Sequence, residues 1–86
     1  MDPIEARIKQ AVILAGGRGE RLRPFTDNLP KPMVPINGKP FLEYLVGLLR
    51  EIGIKEIVLL LGYLPEKITD YFGDGSKFGV SIRYSI

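Results

Sequence analysis

The 86-residue chain has room for one small domain at most, and with 45% hydrophobic and 26% charged residues it reads as globular rather than disordered. A formal charge of +2 is too mild to argue for nucleic acid as a partner. The chain has no cysteine and no histidine, which excludes disulfides, thiolate metal sites and the commonest general base and zinc ligand.

No apolar run approaches the ~18 residues that a membrane span needs. The N-terminus, MDPIEARIKQ, mixes acids with bases and carries no apolar stretch of the signal-peptide kind. The expectation is a cytoplasmic protein with no membrane partner.

The first element is Gln10 to Ala15, QAVILA, a short apolar run closed by glycines. That pattern predicts a strand buried on both faces. Residues 16 to 40 read as loop and hold five of the seven prolines. PFLEYLVGLLREIG then runs at helical period, with Phe41, Leu42, Leu45, Leu48, Leu49 and Ile52 as its apolar stripe. Pro40 suits the first turn and Gly53 the stop. Ile57 to Leu61 is a second continuous apolar strand. LPEKITDYFG predicts a short helix opened by Pro65 and Glu66 and ended by Gly73. VSIRYSI alternates, with Val80, Ile82 and Tyr84 on one side, as a strand with one covered face does.

The order strand, loop, helix, strand, helix, strand predicts an α/β fold. It corresponds to the N-terminal half of a Rossmann-like, doubly wound parallel sheet with right-handed crossovers. Ligands of such sheets bind beyond the carboxyl ends of the strands, and the loop after the first strand lies there.

That loop begins LAGGRGERLRPFTDNLPKPMVP. Gly16, Gly17 and Gly19 allow the backbone close to a ligand. Successive N–H groups in such a turn can converge on phosphate oxygens. Arginine adds a planar charged fork, and Lys31, held between Pro30 and Pro32, adds a compact charge on a stiffened backbone. The dinucleotide fingerprint fails because Leu22 stands where its third glycine belongs. The P-loop fails because Pro40 follows Gly38 and Lys39. The residues themselves therefore lead to a glycine-rich, basic anion loop suited to a polyphosphate. The plainer alternative is a tight strand exit with solvated arginines.

From Leu14 to Tyr44 the sequence resembles the signature of the sugar-1-phosphate nucleotidyltransferases. The elements are Gly16, Gly17, Gly19, Arg21, Leu22, Pro24, Thr26, Pro30, Lys31 and Pro32, in that order. IVLLLGY and YFGDG continue the likeness. The FLEY segment and the C-terminal stretch most resemble mannose- or heptose-1-phosphate guanylyltransferase-like members, with glucose-1-phosphate nucleotidyltransferases as the other related group.

The resemblance implies transfer of a nucleoside monophosphate from an NTP to a sugar 1-phosphate, with pyrophosphate leaving. In that reading Arg21 and Lys31 are the catalytic residues. Arg21 grips the triphosphate, and Lys31 bridges the attacking phosphate and the α-phosphate. The backbone at Leu14, Ala15, Gly16 and Gly17 contacts base and phosphates, and Gly19 lets the loop fold over them. Magnesium is implied as the cofactor, its protein ligands lying beyond residue 86, and no metal ligand is assigned within the chain. Because family members are much longer, residues 1–86 read as the N-terminal NTP-binding part without the acceptor and metal part. Weak NTP binding, little activity and self-association through open sheet edges are expected. A non-catalytic regulatory or scaffold domain of the same fold is the alternative.

Glu20 stands where many members carry Thr or Ser, so a side-chain phosphate contact is not assigned there. Arg18 and Arg23 read as solvated and Asp27 as a loop-capping residue. Asp74 reads as a turn residue, Glu66 and Asp70 as helix surface, and Tyr44, Tyr63 and Tyr71 as packing.

Overall fold

Three apolar segments become three parallel strands in the computed structural model, which describes residues 9–86. The reading of the N-terminus as lacking a signal peptide falls mainly on residues 1–8, outside the described residues. The strands are β1 (Gln10–Leu14), β4 (Glu56–Leu60) and β5 (Ser81–Ser85), in the sheet order β1-β4-β5. Between β1 and β4 lie two 3-10 turns, Glu20–Leu22 and Lys31–Met33. They are followed by a small hairpin of β2 (Pro35–Ile36) and β3 (Lys39–Pro40), then helix α1 (Phe41–Glu51). Helix α2 (Pro65–Phe72) and a 3-10 turn at Ser76–Phe78 connect β4 to β5. The α/β, Rossmann-like reading holds, and so does each of its principal elements to within a residue or two.

Alternate strand residues face opposite sides. Ile13, Leu59 and Tyr84 are cross-strand neighbours on one side, as are Ala11, Ile57 and Ile82. Both helices pack there: Leu42 and Val46 of α1 and Ile68 and Phe72 of α2 join Ile57, Leu59 and Ile82 in one core. The opposite face carries Val12, Leu14, Val58 and Leu60, and here the expectation of a first strand buried on both sides is corrected. Val12 is 62% and Leu14 81% exposed. The reason is topological. Both crossovers step the same way across the sheet, so right-handed connections deliver both helices to one face.

The apolar stripe of α1 also needs correction. Leu42 and Val46 are buried and Leu45 and Leu49 half-buried, whereas Phe41, Leu48 and Ile52 face outward. The helix turns a face centred on Leu42, Val46 and Leu49 to the sheet, which leaves Phe41, Leu48 and Ile52 outside the core in this two-layer arrangement.

The hairpin turns on Asn37 and Gly38, both with positive φ (50° and 82°), as a tight two-residue connection requires. Two bonds tie the hairpin region to α1. The Phe41 amide donates to the Val34 carbonyl, and the Tyr44 hydroxyl donates to the Ile36 carbonyl at 2.7 Å. Among the described residues no helix is long and apolar enough to cross a membrane.

Candidate functional site

The chain leaves β1 and runs directly against the end of β4. Extending the parallel register by two residues sets Gly16 opposite Gly62. A Cβ on Gly16 would lie 3.0 Å from the Gly62 nitrogen, and one on Gly62 would lie 2.9 Å from the Gly16 oxygen. The two backbones touch, and only glycine permits it. The Ala15 amide closes onto Leu60 at 2.8 Å and the Tyr63 amide onto Gly16 at 3.3 Å.

Beyond Gly17 the loop folds back on itself. The Lys31 amide donates to the Gly17 carbonyl at 3.2 Å, which brings the Pro-Lys-Pro segment beside the glycines. Gly19 sits in the left-handed region (φ 66°), and a Cβ there would meet Lys31 Cβ at 2.8 Å. The buried Thr26 hydroxyl donates to the Gly19 carbonyl at 2.8 Å. Arg21 lies at the centre of the turn that Gly19 opens.

The loop cations divide into two pairs. Arg23 donates to Asp27 at 2.8 Å, four residues on, so Asp27 is an ion-pair partner rather than a loop cap. The Arg18 guanidinium lies 4.9 Å from the centre of the Tyr63 ring. Arg21 and Lys31 are exposed, and neither belongs to an ion pair among the described residues. The N–H groups of Gly16, Gly17, Arg18 and Gly19 likewise donate to no backbone carbonyl among the described residues. Among the described residues, four consecutive amides without a backbone acceptor thus lie in the same loop as two cations outside any ion pair, the kind of groups from which anion sites are built.

A cavity of about 630 Å³ opens at this end of the sheet, and Leu14, Gly16, Gly17 and Lys31 are among the residues that line it. The structure thus brings four of the proposed site residues together. Ala15 is fully buried just behind them, Gly19 packs on the stem of Lys31, and Arg21 lies outside the cavity wall. A separate cavity of about 330 Å³, beside α1 and Phe78, contains none of the proposed residues.

Two contributors went unassigned in the sequence reading. Gly62 is recognisable from register alone, once β1 and β4 are paired in parallel. Tyr63 was read as packing, but its hydroxyl reaches the carbonyls of Thr26 (3.0 Å) and Asp27 (3.1 Å), a contact that no local pattern announces. The Asp74 carboxylate accepts from the Ser76 amide at 2.9 Å, which keeps the carboxyl below its usual range and agrees with a turn role. Among the described residues no cluster of three or more His, Cys, Asp or Glu side chains could hold a metal ion.

The family described as "Nucleotidyl transferase" matches residues 10–86. Over 76 residues the chain is 50% identical to the UTP–glucose-1-phosphate uridylyltransferase of Synechocystis, covering 88% of this chain and 20% of that protein. It is 49% identical to the D-glycero-alpha-D-manno-heptose 1-phosphate guanylyltransferase of Campylobacter jejuni, covering 90% of this chain and 34% of that one. Among solved structures, the CTP:phosphocholine cytidylyltransferase of Streptococcus pneumoniae superposes with a TM-score of 0.71 at 43% identity, covering 90% of this chain and 32% of that one. The chain spans a fifth to a third of the length of the curated relatives just named.

Proposed function

Because this chain belongs to the nucleotidyl transferase family, we propose that residues 10–86 form the triphosphate-gripping part of an enzyme that transfers a nucleoside monophosphate to a phosphate-bearing acceptor, most simply a sugar 1-phosphate. An acceptor phosphate oxygen bonds to the α-phosphorus of the NTP. The bond from that phosphorus to the bridging oxygen breaks, and pyrophosphate leaves. A phosphate monoester loses its second proton near pH ~6, so the nucleophile arrives as an anion and needs no histidine. The work that remains is alignment and neutralisation of crowded negative charge.

The observation that supports this most directly is that, among the described residues, the amides of Gly16, Gly17, Arg18 and Gly19 have no backbone acceptor and Arg21 and Lys31 join no ion pair. In this reading the amides hold phosphate oxygens, Arg21 grips the outer phosphates that depart, and Lys31 lies between donor and acceptor. Leu14 and Ala15 bring the base and phosphates against the end of β1. Magnesium would come with the triphosphate and supply further charge neutralisation, its protein ligands coming from outside these residues.

Acceptor residues likewise belong outside this segment, so the 86 residues by themselves bind a triphosphate and turn it over poorly. The three relatives use uridine, guanosine and cytidine nucleotides by name, at 43 to 50% identity in this region. In this reading, selection of base and acceptor is made largely by residues outside this segment. Location in the cytoplasm, where NTPs are made, belongs to the same reading. The open strand edge and the exposed Val12 and Leu14 suit pairing with a second copy of the chain.

The test is calorimetric titration of the chain with UTP, GTP, CTP, ATP and dTTP in magnesium, alongside Arg21→Ala and Lys31→Ala. Binding by the wild type, weakened in both variants, is the expected result. Equal binding by all three proteins, or by none, would overturn the reading.

A further inference from the structure

We propose that Tyr63 is a positioning residue that braces the anion loop from the neighbouring crossover. The inference rests on the triphosphate reading of that loop and adds to it a residue outside the loop itself.

Tyr63 occupies the short turn between β4 and α2, and it contacts the loop in three ways. Its amide donates to the Gly16 carbonyl at 3.3 Å. Its hydroxyl lies 3.0 Å from the Thr26 carbonyl and 3.1 Å from that of Asp27, and shares one proton between them. Its ring carries the Arg18 guanidinium at 4.9 Å, a cation–π distance. The contacts fall on both ends of the loop: Gly16 and Arg18 at the entry, Thr26 and Asp27 at the return. Thr26 passes the restraint on, since its hydroxyl holds the Gly19 carbonyl at 2.8 Å.

The next residue shows that this turn is tightly determined. Leu64 adopts left-handed backbone (φ 47°, ψ 55°) although it is not glycine. That conformation costs about 1–2 kcal/mol for an L-residue and persists only where the surroundings fix it.

The consequence for ligand binding is pre-organisation. Loop amides already held in place need no further ordering when an anion arrives, and rigidity present before binding appears as affinity. Holding Arg18 on the ring also leaves Arg21 and Lys31 as the loop cations that meet the ligand.

Tyr63→Phe keeps the ring and removes the hydroxyl. Tyr84→Phe is the matched control, because the Tyr84 hydroxyl also donates to a carbonyl, that of Gly73, away from the loop. Amide hydrogen exchange and titration with UTP, GTP, CTP and inorganic pyrophosphate are measured on wild type and both variants. Tyr63→Phe is expected to raise exchange at the Leu22 and Lys31 amides about fivefold, and to weaken triphosphate binding about fivefold, with Leu59 exchange unchanged. Tyr84→Phe is expected to do neither.

Wild-type exchange at Leu22 and Lys31 in Tyr63→Phe overturns the brace, as does an equal effect from Tyr84→Phe. Faster loop exchange with undiminished affinity overturns the positioning role. If the wild type binds no triphosphate and the exchange difference is present, the functional reading fails and the brace stands.

Discussion

The anion loop and the outer face of the sheet share residues at the end of β1, yet they are built in opposite ways. The loop is closed by contacts within the chain: Lys31 onto Gly17, Thr26 onto Gly19, Tyr63 onto Gly16, Thr26 and Asp27. The outer face has an apolar surface and no layer upon it among the described residues, with Val12 and Leu14 well exposed. The comparison separates two kinds of completeness. The loop is tied shut by bonds made within these residues, whereas a second layer on the sheet is not formed from the described elements. A segment can therefore hold a well-tied loop on a scaffold that still offers hydrophobic surface.

The sharpest contrast is between two leucines on opposite faces. Leu59 is fully buried, so Leu59→Ala should cost about 3 kcal/mol of stability in chemical denaturation. Leu14 is 81% exposed, and Leu14→Ala should stay within about 0.5 kcal/mol of wild type. Similar losses at both positions would mean that the outer face is covered in solution.

Within the loop, Gly19→Val combines a left-handed backbone with a clash against Lys31. It should weaken triphosphate binding by more than about tenfold in calorimetry, since the loop must open to accept the side chain. Lys31→Ala and Arg21→Ala should each weaken binding by about tenfold and leave the denaturation midpoint in place, because both residues are exposed and neither joins an ion pair among the described residues. A fall in stability that tracks the fall in affinity would return both residues to a structural role.

Val12→Lys tests the other region. It should reduce self-association in sedimentation runs at rising concentration and leave triphosphate affinity unchanged. Association that persists undiminished would move the contact elsewhere.

The smallest effect concerns Tyr84. Burial and the nearby Asp74 charge raise its phenol above the usual 10.0. A raised folded-state value gives stability that is present below the unfolded value and is lost as pH climbs through the folded one. Tyr84→Phe should therefore flatten part of the decline in thermal midpoint as pH rises past about 10.

The strands and helices were legible because their apolar runs and bounding prolines and glycines are local signals. The loop proposed to hold an anion stands out in the sequence because glycines, Arg21 and Lys31 crowd a short stretch. The facing of residues was harder. QAVILA reads as buried on both sides, but burial depends on where both crossovers travel, and β1 alone does not encode that. The outward turn of Phe41, Leu48 and Ile52 has the same origin. Asn37-Gly38 is a hairpin signal that a loop reading passes over, and Arg23 with Asp27 is a four-residue ion-pair spacing that was equally available. Tyr63 is different. Its hydroxyl bonds span 36 and 37 residues of sequence, so its role became visible only when β4 lay beside β1.

The stitching of the hairpin to α1 has a mechanical outcome. Lys31 hangs between two anchors, Gly17 on one side and, through Val34 and Ile36, the first turn of α1 on the other. Those bonds set the position of the Pro-Lys-Pro segment by the placement of that helix as well as by the glycines. The lysine is therefore moored to the same helix whose outward residues Phe41, Leu48 and Ile52 stand open.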